Sequence, residues 1–416
     1  MTRARAALAL ASVGLALACT KPEPGPKASA TAPPPAVADA RVSGRKATAV
    51  AVGTEHSCAL GDDGRVFCWG RNEHGQLGSK STESCSVLDI HGLPPAPVPC
   101  RDRPEPVDGL ANAVELAVGG DTGCARLADG TVRCWGANGD GVVGDGTTVD
   151  RSAATPVPAM THVVQIAVST THACARHEDG TLDCWGQNFH GELGTVPVQP
   201  PPGAVEKLGY GAVKVPSPQI VPGLTDVVLV AVGERVTCVE KKNGDVLCFG
   251  VMAPATVAQV APTTVPALHG ASALALGIAT HCGIFADGSA KCWGASATAP
   301  FQPGSKHEKT PVPATAIAGA SAIALGANRA CDVVKPGDVL CWGDDSSSGQ
   351  QPPQQIPRAI RATSIAIGAN HACALGTDGS VWCWGDSFFG QAAAPVKGQG
   401  APTSAFWTVA NQVSLP

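Results

Sequence analysis

The chain reads as an all-β protein built from seven stacked repeats, and two observations predict this. The first is cysteine spacing. Of 17 cysteines, fourteen fall into seven pairs with nine residues between partners: Cys58 with Cys68, Cys124 with Cys134, Cys174 with Cys184, Cys238 with Cys248, Cys282 with Cys292, Cys331 with Cys341 and Cys373 with Cys383. Around each pair runs a version of A-[VIL]-G-x-x-H-x-C-A-L-x-x-D-G-x-V-x-C-W-G, clearest at 51–70 and 366–385, and successive first cysteines lie 42 to 66 residues apart. Such a period marks stacked units. The second observation is composition: 15% of the 416 residues are charged and 4% aromatic, whereas 49 glycines and 35 prolines supply the turns of many short strands. A closed ring of repeats is one domain at this length, where an ordinary chain would make two or three. The net charge of −5 and the lack of a basic run argue against nucleic acid as a partner, since a phosphate-binding surface needs clustered Lys and Arg.

The N-terminus carries an address. Arg3 and Arg5 form a positive n-region, residues 6–17 a short apolar core, and Ala16-Leu17-Ala18-Cys19 a small-residue cleavage site ending in cysteine. This resembles a bacterial lipoprotein signal, with residues 1–18 removed and Cys19 lipidated, although Ala16 stands where leucine is usual. The apolar stretch is too short to span a bilayer comfortably, so export is expected, with the lipid anchor as the membrane contact. Thr20 is not the aspartate that signals inner-membrane retention, so the resemblance points to the outer membrane, on either its periplasmic or its cell-surface face. Residues 19–46 are rich in Pro and Ala and poor in large apolar groups; they read as a tether.

Parity describes the hairpin in each repeat. Positions 58 and 68 sum to the same value as 61 and 65, which leaves Asp62-Asp63-Gly64 as a three-residue loop. Such loops need a residue in the left-handed region, a conformation cheap mainly for glycine, and glycine stands there in all seven repeats: Gly64, Gly130, Gly180, Gly244, Gly288, Gly337 and Gly379. Cys58 and Cys68 then form a non-hydrogen-bonded pair near the lower end of disulfide reach. Export makes the bonds chemically reasonable. Zinc is the competing reading, but structural zinc sites want short knuckles converging in fours, so no metal and no cofactor are expected.

Two longer connections interrupt the repeats. Ser79–Val107 holds the remaining pair, Cys85 and Cys100, expected as an eighth disulfide; its prolines argue against a central strand and for a stapled surface loop. Thr195–Pro222 carries the chain's one tyrosine, Tyr210, a candidate binding residue, because loops on a rigid scaffold are where binding is usually placed. A tolerated insertion is the plainer account of either.

The stretches A-V-G-T-E-H-S-C-A-L, D-D-G-R-V-F-C-W-G-R-N-E-H-G-Q-L-G and P-V-D-G-L resemble regulator of chromosome condensation repeats, from about Ala47 to the C-terminus, 47–416. The likeness is sharpest in repeats one, three and seven and weaker in four, where Phe249 replaces tryptophan. It implies a seven-bladed β-propeller, and radial repetition would protect the sheet edges that an open array exposes. In such blades Cys58, Leu60 and Val66 would face one neighbour and Phe67 and Trp69 the other. Trp69, Trp135, Trp185, Trp293, Trp342 and Trp384 then read as core, Trp382 and Trp407 stay open, and residues 401–416 are expected to close the first or last blade.

His56, His172 and His371 recur two residues before the first cysteine and read as satisfied polar groups near a turn. Residues 138–150, NGDGVVGDGTTVD, faintly resemble a calcium loop but align better with the family's G-x-N-x-x-G-Q-L-G-D-G-T-T. No nucleophile motif, phosphate loop or paired-carboxylate context stands out, so an enzyme is not the leading expectation. The family includes a nuclear guanine-nucleotide exchange factor and a secreted propeller that inhibits β-lactamases. The leading expectation is a lipid-anchored protein-interaction module at the cell envelope. Its alternatives are an inhibitor of a secreted hydrolase such as a β-lactamase, and a carbohydrate-active enzyme or glycan binder at the channel mouth; a structural envelope component is the blandest reading.

Overall fold

The first repeat shows how this sequence becomes structure. β1 (Ala47–Val52), β2 (His56–Gly61) and β3 (Val66–Arg71) form an antiparallel meander, with Cys58 opposite Cys68 and Leu60 opposite Val66. At the hairpin the Gly61 N–H donates to Arg65 O at 2.8 Å and the Gly64 N–H to Gly61 O at 3.0 Å. Gly64 sits at φ 77°, and its counterpart has positive φ in every other repeat, where a side chain would be strained. The paired cysteine Cα atoms lie 4.1 Å apart, as the parity argument requires of a non-hydrogen-bonded pair. The other six hairpins repeat this bond: Cys124 to Cys134, Cys174 to Cys184, Cys238 to Cys248, Cys282 to Cys292, Cys331 to Cys341 and Cys373 to Cys383, each with the same Cα separation of 4.1 Å. An eighth disulfide joins Cys85 to Cys100.

The computed structural model describes residues 44–80, 83–86, 97–195, 213–252, 259–294, 308–327, 329–345, 349–356, 360–392 and 410–416, all within the unit Ser43–Pro416. Seven antiparallel sheets follow one another as blades over 47–106, 113–156, 163–220, 227–264, 271–313, 320–355 and 362–413. The protein is an all-β, seven-bladed propeller.

The fourth strands bring a correction. β4 (Ser84–Ser86) and β5 (Pro97–Pro106) both lie in the segment read as a surface loop, and β5 pairs with β3 as the fourth strand of blade 1, with β4 outside it. Lys214–Ile220 does the same for blade 3, so the true excursions are shorter than Ser79–Val107 and Thr195–Pro222. Proline is tolerated because these strands can serve as acceptors: the Asn72 N–H donates to Pro99 O at 2.8 Å, and an acceptor needs no N–H of its own.

Asn411–Val413 pairs with Val381–Gly385 and closes the last blade, one of the two blades expected for the C-terminal segment. The ring then joins end to end. Arg45 bridges to Leu415, the Ala47 N–H donates to Gly379 O at 2.9 Å, and the Arg45 guanidinium pairs with Asp63 at 2.9 Å while lying over the Phe67 ring. Arg45 and Lys46, read from sequence as the end of the tether, are therefore part of the propeller. Cys19 and the signal lie outside the described residues.

The core lies between blades. Cys58, Leu60, Val66 and Cys68 cluster with Trp135 of blade 2, whereas Ala59, Phe67 and Trp69 cluster with Cys373 and Cys383 of blade 7, which is the division of faces expected. The arrangement repeats around the ring. Cys124 and Cys134 pack with Trp185, Cys238 and Cys248 with Trp293, Cys282 and Cys292 with Trp342, and Cys331 and Cys341 with Trp384. In blade 4 Phe249 takes the tryptophan's place, against Cys174 and Cys184. The six repeat tryptophans are at most 3% exposed. Burying one indole removes about 150–250 Å² from water, worth roughly 4–6 kcal/mol as an upper figure. Trp382 is half-buried and donates to Ser380 Oγ at 2.8 Å; Trp407 lies outside the described residues.

Candidate functional site: the loop-bearing face and the channel mouth

Strand direction decides which face can carry loops. β1 and β3 run the same way, so the β1–β2 turn and the connection after β3 emerge on one face, and the tight hairpin after β2 lies on the other. Every long connection between third and fourth strands, including both excursions, therefore leaves from the face that holds the inner turns. Tyr210 belongs to this connection in blade 3 but lies outside the described residues.

These connections start from a repeated nucleus. Asn72, Asn138 and Asn188 are buried, and their side-chain oxygens accept the N–H of Leu77, Val143 and Leu193 at 3.0, 2.9 and 3.2 Å. Two residues before each of Gly78 and Gly194, a Gln or Glu side chain folds back: Gln76 Oε1 accepts the His74 N–H at 2.8 Å, and Glu192 accepts the His190 N–H at 2.6 Å. The indole of the next blade completes the seam. Trp135 donates to Gln76 O at 3.1 Å, Trp185 to Val142 O at 2.7 Å and Trp69 to Gln391 O at 2.9 Å. Gly144, at φ 78°, must be glycine for this, because a Cβ there would meet the Trp185 ring at 2.6 Å.

The recurrent histidines belong to the same seams. His371 donates through Nε2 to Ser57 Oγ at 2.9 Å, and the Ser57 hydroxyl donates to Gln391 O at 3.0 Å. His172 reaches Thr237 Oγ1 at 2.8 Å, which donates to Glu192 O at 2.8 Å. The hydroxyl's one proton goes to the carbonyl, which assigns the N–H to Nε2 of each histidine. His56 breaks the pattern. The residue of blade 2 in the Ser57 position is Gly123, and both His56 ring nitrogens lack a partner among the described residues. His172 is thus satisfied, as expected; His371 is satisfied at Nε2 alone, its Nδ1 lacking a partner among the described residues, and His56 at neither nitrogen. All three are fully buried, and desolvation lowers each pKa to about 3. A neutral imidazole sealed from solvent cannot serve as a general base on an external substrate.

The carboxylates of residues 138–150 are engaged by protein groups, Asp140 with Lys214 at 3.4 Å. Asp145 accepts from Thr147 and Arg151, and Asp150 from the Asn138 N–H at 2.8 Å and from His74 Nδ1 at 3.0 Å. Among the described residues, no group of three or more His, Cys, Asp or Glu could hold a metal ion.

Two buried carboxyls escaped sequence reading. Glu192 sits where its counterparts are Gln76 and Gln391, and burial raises its pKa to about 7 against the opposing backbone hydrogen bonds. Asp332 sits where other repeats have Ala, Val or Gly; it is fully buried, its oxygens lack partners among the described residues, and desolvation raises its pKa to about 7. Register across the seven repeats was the available signal. Because the folded pKa of Glu192 lies above the ordinary value of 4.5, folding is penalised once the pH rises above about 4.5, and increasingly so up to about 7. Glu192→Gln should therefore raise stability at pH 8 by roughly 2–3 kcal/mol and leave it little changed at pH 4. Urea denaturation at the two pH values measures this; an equal change at both would mean the carboxyl is not neutralised in the fold.

Around the axis the last side chains of the inner strands, Val52, Val118, Val168, Val232, Leu276, Leu325 and Ile367, form an aliphatic ring at a cavity of about 330 Å³. The following turn residues complete the mouth, and Glu234 is its one charged residue among the described residues. Outward, Arg71 pairs with Glu55 and Glu73 and lies over the Phe389 ring, which packs on the Cys85–Cys100 disulfide. Phe388 and Ile278 are exposed on this face, at 43% and 48%.

Models of the regulator of chromosome condensation (RCC1) repeat match residues 47–76, 113–142, 163–192 and 362–391, and, with a second model of that repeat, 63–125 and 129–176. The chain is 36% identical over 112 residues to the secretion-regulating guanine nucleotide exchange factor of Mus musculus, covering 24% of this chain and 22% of that protein. It is 32% identical over 97 residues to the mitochondrial RCC1 domain-containing protein RUG3 of Arabidopsis thaliana, covering 23% and 18%. The match thus spans about a fifth of each relative. Among solved structures, human WBSCR16 superposes with a TM-score of 0.67 at 19% identity, over 85% of this chain and 94% of that one. Yeast RCC1 (Prp20) bound to Kap60 superposes at 0.62 and 18%, over 77% and 78%. These last two likenesses concern the fold. Fold and seams together define a disulfide-stapled seven-bladed β-propeller. Over the matched residues its repeats are of the regulator of chromosome condensation type.

Proposed function

We propose that the protein is exported, anchored by lipid at Cys19 to the cell envelope on the outer membrane, and binds another protein through its loop-bearing face. The observation that carries this reading is the asymmetry of the two faces. One is closed by seven short hairpins; the other carries the ends of the third strands, from which the longer connections leave, and the channel mouth. The yeast propeller that shares this fold was captured bound to a protein, Kap60. The anchor rests on the charged n-region, the short apolar core and the small residues before Cys19. No catalysis is assigned.

Inhibition of a secreted hydrolase is the narrower form of this reading, favoured by one detail: Phe189 and Phe388 occupy the same motif position in blades 3 and 7 and place aromatic rings on one rim. A glycan enzyme would need two carboxyls flanking the channel, and the described lining holds Glu234 alone.

Two experiments test the proposal. Metabolic labelling with a fatty-acid analogue should mark the wild type and not Cys19→Ala; equal labelling of both would remove the anchor. Separately, shortening 87–96 and 196–212 while keeping every strand and disulfide should preserve the melting curve and weaken capture of the main envelope partner at least roughly tenfold, since interface energy concentrates in few residues. Unchanged affinity in both shortened proteins would place the binding face elsewhere.

A further inference from the structure

The channel mouth is selective in what it offers a guest. Its wall is aliphatic, the last residue of each inner strand pointing a Val, Leu or Ile at the cavity. Its turns are closed from within: the N–H groups of Gly53, Ser169, Gly233, Gly277, Gly326 and Gly368 donate at 2.8–2.9 Å to carbonyls within their own turns. Polar groups are added by three of the turns. Thr54 and Thr170 bring hydroxyls to the lining, and Glu234 brings a half-buried carboxylate without an ion pair among the described residues. Its neighbour Arg235 does not cancel it: Arg235 lies outside the lining, and its charge acts on Glu192 and His190 across the seam to blade 3.

We propose that the mouth receives a lysine side chain of the protein partner, the alkyl stem lying against the aliphatic ring and Ile278 and the ammonium meeting Glu234. A cavity of about 330 Å³ lies at the low end of small-ligand sites, which run from about 300 to 1,000 Å³, so it suits one or two side chains and not a folded element. A lysine fits both halves of the mouth. Its stem tolerates apolar surface while its charged end seeks water or a carboxylate, and the ammonium supplies three donors to a site whose one charged group among the described residues is the Glu234 carboxylate. Glu234 in blade 4 and Ile278 in blade 5 stand on adjacent turns, so one extended stem spans from the apolar rim to the charge. This proposal rests on the protein-binding reading and names the chemistry of the partner's central contact.

The test uses the purified full chain and two capped tripeptides, glycyl-lysyl-glycine and glycyl-norleucyl-glycine, titrated by NMR at low salt. The lysine peptide should bind roughly tenfold more tightly than the norleucine peptide, which keeps the four-carbon stem and lacks the ammonium, the scale of a charge-assisted hydrogen bond. Glu234→Gln should erase that preference and Arg235→Gln should keep it within about twofold. Should Glu234→Gln fail to fold, the comparison of the two peptides on the wild type still decides. Equal binding of both peptides, no binding of either, or an unchanged preference in Glu234→Gln would overturn the proposal. If the lysine peptide fails while partner capture still depends on the loop excursions, the lysine contact alone falls. If the peptide binds and capture is indifferent to the loops, the wider interface is what falls.

Discussion

Removing one hairpin disulfide, as in the double substitution Cys174→Ala with Cys184→Ala, should cost roughly 2–4 kcal/mol, and reducing all seven should unfold the propeller. The loop-entropy model assigns about 2.5–3 kcal/mol to a bridge that closes a loop of this size. The hairpin's own tendency to form lowers that figure, because the unfolded chain already samples the closed turn. Packing raises it again. Cys174 and Cys184 are fully buried and cluster with Phe249 and Val239 of the next blade, so deleting the two sulfurs also leaves a void at the seam. Even half the entropic figure, taken seven times, matches the net stability of about 5–15 kcal/mol usual for a domain. Burial also sets the kinetics: the fourteen hairpin cysteines are 0% exposed, so a phosphine reductant should act only on opened molecules. Reduction should be slow in buffer and fast in moderate urea, and then accompanied by loss of strand signal. A reduced protein that melts within a few degrees of the oxidised one would show that the seams, not the staples, hold the blades.

The staples were legible in sequence because they are local. Cysteine spacing, hairpin parity and the recurring glycine all lie within eleven residues of one another, and the structure pairs Cys58 with Cys68 as they require. The alternation that sends Cys58 and Trp69 to opposite faces is local too. What escaped reading is what the ring brings together. Ser57 meets His371 across 314 residues, and nothing near Ser57 marks it as the hydroxyl that satisfies that histidine. The fourth strands were hidden for another reason: Pro97, Pro99, Pro104 and Pro106 make β5 look like a loop, and only its role as an acceptor strand explains them. The aliphatic ring at the channel was visible as the [VIL] position of the repeat, but a one-dimensional pattern cannot say that seven such residues converge on an axis. Glu234 carries no repeat signal, since the position after that glycine is Thr54 in blade 1 and Ile278 in blade 5.

Acid should destabilise the protein, and four histidines against two carboxyls decide where. His56, His172 and His371 have folded pKa values of about 3 and His281 of about 4, all lowered by burial from 6.5. Since the folded values lie below the unfolded ones, the unfolded chain takes up protons first as pH falls. Stability is fully present above pH 6.5 and is lost between there and pH 3–4. At pH 5 each buried histidine costs about 2 kcal/mol, together roughly 8. Glu192 and Asp332 act in the opposite sense, because their folded values of about 7 lie above the unfolded ones; the folded state is relieved as they take up protons. At pH 5 they return about 5 kcal/mol between them. His177, whose pKa is raised by its hydrogen bond to Asp183, also favours the folded state below pH 6.5. The balance is nearly level from pH 8 to 6 and falls below it, since the carboxyl gain saturates near pH 4 while the histidine loss keeps growing. Urea midpoints measured from pH 8 to 4 should show that plateau and decline. The double substitution Glu192→Gln with Asp332→Asn should remove the plateau, with higher stability at pH 8 and a decline beginning near pH 6.5. His56→Gln should flatten the decline by about one proton without touching the plateau's upper end. A wild-type profile that rises from pH 6 to 4, or a His56→Gln slope equal to that of the wild type, would mean that these imidazoles become charged inside the fold and that the seams admit water.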